Sequence, residues 1–241
     1  MSKIQGLKKE ADRQSKPAVT IDQAFREFLS EQRARLSPAT VSKYASILDL
    51  LGACLERYWP GHEQSEYERI TAAGGTFCGT FGPEEILGGL SEFLGYFMPH
   101  KVVASKATMQ AAGTVTKKLV KWLAAKGYVQ DDEGLLVAEE RAARATRDLP
   151  ASQDVVAILE AYLDEHAPER HSRELEDHFT VTRVEAGKLW LDPYVSGDRE
   201  IGPIPVPTEV SRRCKVGWDI GGTVVKTPKG WRLAEVWNVS P

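Results

Sequence analysis

Near His178 the chain changes its hydrophobic period. Before that point apolar residues recur at every third or fourth position, the spacing of a helix with one covered face. Beyond it they alternate, and Phe179-Thr180-Val181-Thr182-Arg183-Val184 is the clearest run, rich in β-branched side chains. A segment written for one period cannot bury its apolar residues in the other. The chain therefore reads as α+β, a helical bundle in front of a small β-barrel-like module. With 241 residues, each part has enough chain to bury its own core.

The helical part carries its own punctuation. Thr20 can cap a first helix, with Gln23 completing a capping box and Ile21, Ala24, Phe25, Phe28 and Leu29 on one face. Ser37 and Pro38 are a cap and a first-turn proline for a second helix, which buries Val41, Tyr44, Ile47, Leu48, Leu51 and Leu55 and ends at Trp59-Pro60-Gly61. Residues 61–82, with Gly74, Gly75, Gly79 and Gly82, read as a long irregular connection. A third helix follows Pro83, and a fourth runs from about Ser105 to Lys126 and stops at Gly127. Two shorter helices are expected on either side of Pro150.

These signals divide the chain into a basic disordered arm at 1–18, a helical domain at 19–149, an acidic helical connector at 150–177 and the β module at 178–241. Within the module, Gly187, Gly221-Gly222 and Pro228-Lys229-Gly230 read as turns. Its tryptophans, Trp190, Trp218, Trp231 and Trp237, are expected to fill a small core; exposed ones could instead stack on bases.

Composition narrows the function. A net charge of −3 rules out nucleic-acid binding over the whole surface and confines it to a local patch. Cys54, Cys78 and Cys214 are scattered and odd in number, so neither a disulfide framework nor a structural zinc site is expected. No apolar stretch approaches the length that spans a bilayer, and the first residues lack a signal-peptide pattern, so a cytoplasmic protein without a membrane role is expected.

The fourth helix holds the most pointed charge pattern. From Lys101 to Lys126 there are Lys101, Lys106, Lys117, Lys118, Lys121 and Lys126, and no Asp or Glu. At helical spacing Ala112, Val115, Leu119, Trp122 and Leu123 form an apolar face. Lys106, Gln110, Thr114, Lys117 and Lys121 form a stripe roughly opposite, suited to a phosphate backbone.

Residues 20–58, with Leu36-Ser37-Pro38-Ala39-Thr40-Val41 and Tyr44, resemble the first helix pair of the core-binding (SAM-like) domain of tyrosine recombinases, the phage integrases. Residues 105–128, with Thr108 and Lys121-Trp122-Leu123 before Lys126-Gly127-Tyr128, resemble that domain's last helix. The resemblance covers about residues 20–130. It implies a helical bundle forming one half of a clamp on duplex DNA. By position it places Arg33, Arg35, Ser37, Thr40 and Lys43 at one DNA-facing end, and Lys106, Lys117, Lys118 and Lys121 on the other contact helix. The family's catalytic Arg…His-x-x-Arg…His…Tyr succession does not follow residue 130, so strand cleavage is not expected.

Other motifs carry less. Asp219-Ile220-Gly221-Gly222-Thr223 resembles the phosphate loop of actin-like sugar kinases, yet too little chain follows to complete a nucleotide site, and a Gly-Gly hairpin turn is the simpler reading. His166, His171 and His178 lack ligand spacing, so no metal is expected, and no cofactor. Glu139 and Glu140 read as a solvated face. The expectation is a non-catalytic protein that grips duplex DNA by its backbone, with the β module free to add contacts or recruit a protein. The alternative is a protein-interaction adaptor whose lysine stripe merely faces solvent.

Overall fold

The computed structural model describes residues 19–59, 61–168, 170–195, 197 and 199–241; the expected arm at 1–18 lies outside them. The chain is α+β: a helical region is followed by a five-stranded antiparallel sheet curled into a half-barrel. Two compact units divide it. The first takes residues up to 93 and 115–141, the second 94–114 and 142–241.

The first unit begins with α1 (Ile21–Arg33), where Thr20 and Gln23 form the capping box that the sequence announces. Ser37 caps α2 (Pro38–Tyr58), and Trp59 ends it in a left-handed conformation, φ 43°. Ile21, Ala24, Phe28, Ile47, Leu51 and Leu55 are fully or almost fully buried. Phe28 stacks on Tyr44 at 6.2 Å and meets Trp122 edge-on at 5.5 Å.

Residues 61–82 are not an irregular connection. They hold α3 (Gln64–Ala72) and α4 (Phe77–Thr80). Their apolar residues are too few for a clear period, and distant groups fix them instead. Trp59 packs edge-on against Tyr67 and Phe77. The Glu56 carboxylate accepts the backbone N–H groups of Phe77 and Cys78, both at 2.7 Å, satisfying donors that a helix start leaves open. A 3-10 turn (Pro83–Glu85), α5 (Ile86–Glu92), a π turn (Phe93–Phe97) and α6 (Met98–Lys101) follow in succession.

Two long helices, α7 (Lys106–Ala125) and α8 (Asp132–His166), each contribute residues to both units. The two short helices expected around Pro150 are one helix of 35 residues. An interior proline removes a backbone donor and costs about 3 kcal/mol. Burial on both sides of it offsets that: Ala142 and Leu149 precede it, and Val155, Leu159 and Leu163 follow.

In the second unit the strands are β1 (Arg173–Glu185), β2 (Lys188–Pro193), β3 (Ile201–Pro205), β4 (Asp219–Thr227) and β5 (Gly230–Ser240), in the order β3-β2-β1-β4-β5. A short helix, α9 (Thr208–Arg213), precedes β4. β3 carries Pro203 and Pro205, which weaken a strand pattern in sequence but are tolerated at the end of the strand order. One face of the sheet puts Phe179, Val181, Leu189, Leu191, Ile220, Val224 and Val239 against Val155, Leu159 and Leu163 of α8. The stretch expected as an acidic connector thus supplies both a core helix and the start of β1. The other face aligns His178, Gly221 and Asn238 across three strands.

Gly221-Gly222 is not a turn. Both glycines lie inside β4, where the pairing with β5 shifts register. A Cβ on Gly222 would stand 2.2 Å from the Glu235 carbonyl oxygen, so glycine is there for close backbone approach. The turn that does join these strands ends at Gly230, with φ 105°.

Candidate nucleic-acid interface

In the first unit the turn between α1 and α2 presents Arg33 and Arg35, both exposed. Ser37 and Thr40 are occupied with each other: the hydroxyls lie 2.9 Å apart, and the Thr40 N–H donates to Ser37 Oγ at 3.3 Å. Lys43 is exposed one turn further along α2. Among the described residues, Arg33, Arg35 and Lys43 form no ion pair.

α7 meets this region through Lys118. Its Nζ donates to Tyr44 Oη at 2.5 Å and sits 5.2 Å from the centre of the ring. Tyr44 is the residue after Lys43, but Tyr44 is buried and Lys43 exposed, so the two side chains leave α2 in different directions. Lys117 is half-buried and makes no ion pair among the described residues. Lys121 is engaged with Glu139 of α8 at 3.4 Å, so Glu139 is not merely a solvated face.

A compensated cluster borders the site. Lys126 Nζ lies 2.7 Å from Glu27 and 2.6 Å from Glu31, both on α1. Trp122 Nε1 donates to Glu31 at 2.8 Å, and Tyr128 Oη to Glu27 at 2.6 Å. The Lys126 hydrogen bonds, followed by those from Tyr128 and Trp122, hold both carboxyls below the usual glutamate range. The same pairing pushes Lys126 above the usual lysine value.

The other stripe residues belong to the second unit. Lys106 Nζ pairs with Asp154 at 2.7 Å. Thr114 is half-buried and its hydroxyl donates back to the Gln110 carbonyl at 3.0 Å. Gly113 packs against α8, where a Cβ would lie 2.3 Å from the Thr146 backbone nitrogen. Arg213 approaches Asp154 at 3.9 Å and Lys215 pairs with Asp148 at 2.5 Å.

α7 therefore differs from the one-faced helix read from its periodicity. Ala111, Ala112, Val115, Thr116, Leu119 and Val120 are all buried, spread around the helix, because α8 covers a further side of it. The carboxylates that meet the lysines come from α1 and α8. Glu27 and Glu31 stand four apart on α1, a spacing that already puts them on one face. Glu139 and Asp154 carry no comparable signal.

In the β module Trp218 is buried, whereas Trp237 is 43% exposed. Trp190 and Trp231 lie under cations, Arg183 at 4.2 Å and Lys226 at 5.0 Å from the ring centres. Among the described residues, no group of three or more His, Cys, Asp or Glu side chains could hold a metal ion, and no helix is long and apolar enough to cross a membrane. No family model, curated protein or solved structure matches the chain.

Proposed function

We propose that the first unit is a non-catalytic grip on the backbone of duplex DNA, of the kind its resemblance to the integrase core-binding domain implies. The observation that supports this reading is that Lys118, exposed and held to α2 by Tyr44, lies in the same compact unit as the exposed Arg33, Arg35 and Lys43. Arg33, Arg35, Lys43 and Lys117, which form no ion pair among the described residues, supply the charge. Lysine and arginine on exposed positions meet phosphates without reading bases, so binding is positional and strongly dependent on salt. Lys106 and Lys121 contribute less, because Asp154 and Glu139 already neutralise them.

Binding of a generic duplex, followed by fluorescence anisotropy at several salt concentrations, tests the reading. The wild type is expected to bind at ~50 mM salt with a log–log slope that scales as about −0.9 per phosphate contact. The variant Arg33→Ala/Arg35→Ala/Lys43→Ala is expected to bind more weakly with a slope shallower by about 2–3. No wild-type binding at the lowest salt, or a variant with unchanged affinity and slope, overturns it and leaves the protein-adaptor reading.

A further inference from the structure

We propose that His100 is a proton-operated latch that seats the segment around α6 on the second face of the half-barrel. The imidazoles of His100 and His178 stack with ring centres 5.5 Å apart and planes 26° from parallel. His100 comes from α6 and His178 from β1, and both belong to the second unit. His178 lies over Gly221, whose missing side chain leaves it room: a Cβ there would come within 2.9 Å of its ring and of Asn238 Oδ1.

The seat is built for a neutral His100. Its Nε2 is buried and has no hydrogen-bond partner. Protonation would create a buried N–H donor with nothing to receive it, on a ring that faces a second imidazole. The charged groups around it are Lys101 on α6 itself and Asp219 on β4; Asp177 on β1 is engaged by the backbone N–H groups of His178 and Val195. Tyr96 packs on His100 at 4.7 Å, while Tyr194 and Trp237 flank His178 at 6.3 and 6.4 Å. Among the described residues, Asp219 is the group that favours a charge on His100. Burial first, then His178 and Lys101, hold it below the ordinary histidine value of 6.5.

The direction follows from linkage. A histidine that titrates lower when seated than when released loses its seat as acid is added. The seat is complete above pH 6.5 and weakens as the pH falls below that value. Acid thus loosens the stretch that leads into α7 while the core of the half-barrel, which contains neither histidine, stays closed.

Hydrogen exchange at pH 7.5 and 5.5, corrected for the intrinsic chemical rate, tests the latch on the full chain. Protection of peptides spanning 94–104 is expected to fall several-fold at the lower pH while peptides from β4 hold. In His100→Phe, which keeps a ring but cannot be charged, protection of 94–104 is expected to be the same at both pH values. Unchanged wild-type protection, or an equal loss in His100→Phe, overturns the proposal. Should that variant not fold, NMR titration of wild-type imidazoles decides. Loss of protection must then track the His100 titration, with a midpoint below 6.5, and a mismatch overturns it equally.

Discussion

Lys118 Nζ stands 2.5 Å from Tyr44 Oη and 5.2 Å from the centre of the same ring. The two distances put the ammonium nearly in line with the ring's C–O bond, so the hydroxyl is what holds it and not the π face. The contact joins residues 74 apart in sequence and is the point at which α7 reaches the cationic end of α2. Lys118 nevertheless stays exposed, so its charge is still felt in solvent.

That single hydrogen bond separates structure from binding. Tyr44→Phe keeps the ring and removes the acceptor, and is expected to lower stability by about 0.5–1.5 kcal/mol, the net worth of one hydrogen bond. It leaves the charge on Lys118, so the salt slope of the proposed DNA binding is expected to be unchanged. Lys118→Met is expected to reduce that slope by about one. A double-mutant cycle by urea unfolding gives the coupling, expected at no more than about 1 kcal/mol because the pair is partly solvated. An unaltered slope in Lys118→Met would remove this residue from the interface.

Two helical glycines are expected to respond oppositely to alanine. At Gly113 a Cβ would lie 2.3 Å from the Thr146 backbone nitrogen and 2.7 Å from its Cα. Backbone atoms cannot swing away, so Gly113→Ala is expected to destabilise by about 1–3 kcal/mol despite alanine's better helix propensity. At Gly88 nothing lies within 4 Å, and Gly88→Ala is expected to gain up to about 1 kcal/mol. Thermal unfolding of both variants is the check. A Gly113→Ala protein as stable as wild type would mean that α7 and α8 do not touch there.

The Glu27–Lys126–Glu31 cluster sets an acid dependence. Both carboxyls titrate below the ordinary glutamate value of 4.5 in the folded chain, chiefly through Lys126. The folded state therefore binds fewer protons than the unfolded one just below pH 4.5. The stabilisation is present above that value and is lost as the pH falls through the lower folded values. Lys126→Met is expected to melt below wild type at pH 7, with the gap narrowing as the pH falls below 4.5. A gap that persists undiminished in acid would assign the effect to packing on Trp122, whose ring centre lies 5.5 Å from Lys126 Nζ, rather than to charge.

How far the sequence could be read depended on how local the cause was. The caps at Thr20 and Ser37 and the stop at Gly127 are written in neighbouring residues, and these appear where the sequence puts them. The change of period at His178 sits inside β1, only five residues from its start at Arg173. What escaped was long-range. Gly221-Gly222 has the composition of a turn, and only the approach of the Glu235 backbone makes it strand. Pro150 reads as a break until the buried residues on both sides of it are counted. The lysine stripe was visible along α7, but the carboxylates that meet it, Glu139 and Asp154, are set by how α8 packs.

The three cysteines offer a way to watch each unit open. All are free and buried, Cys54 and Cys78 in the first unit and Cys214 in the second. Burial pushes the Cys54 and Cys214 thiols up to about 12, and Cys78 beyond that with help from Glu56 and Asp22. Against the ordinary value of 9.0 this lowers the reactive thiolate at neutral pH by roughly 10³-fold, before steric protection is added. Native protein is therefore expected to react with a thiol reagent far more slowly than unfolded protein. Along a urea series, the modified cysteine identified by peptide mass reports which unit has opened. If Cys214 and Cys54 become reactive at separate urea concentrations, the units unfold independently; simultaneous reaction means one cooperative transition. Rapid labelling of any of the three in native buffer would contradict the burial on which the core of its unit depends.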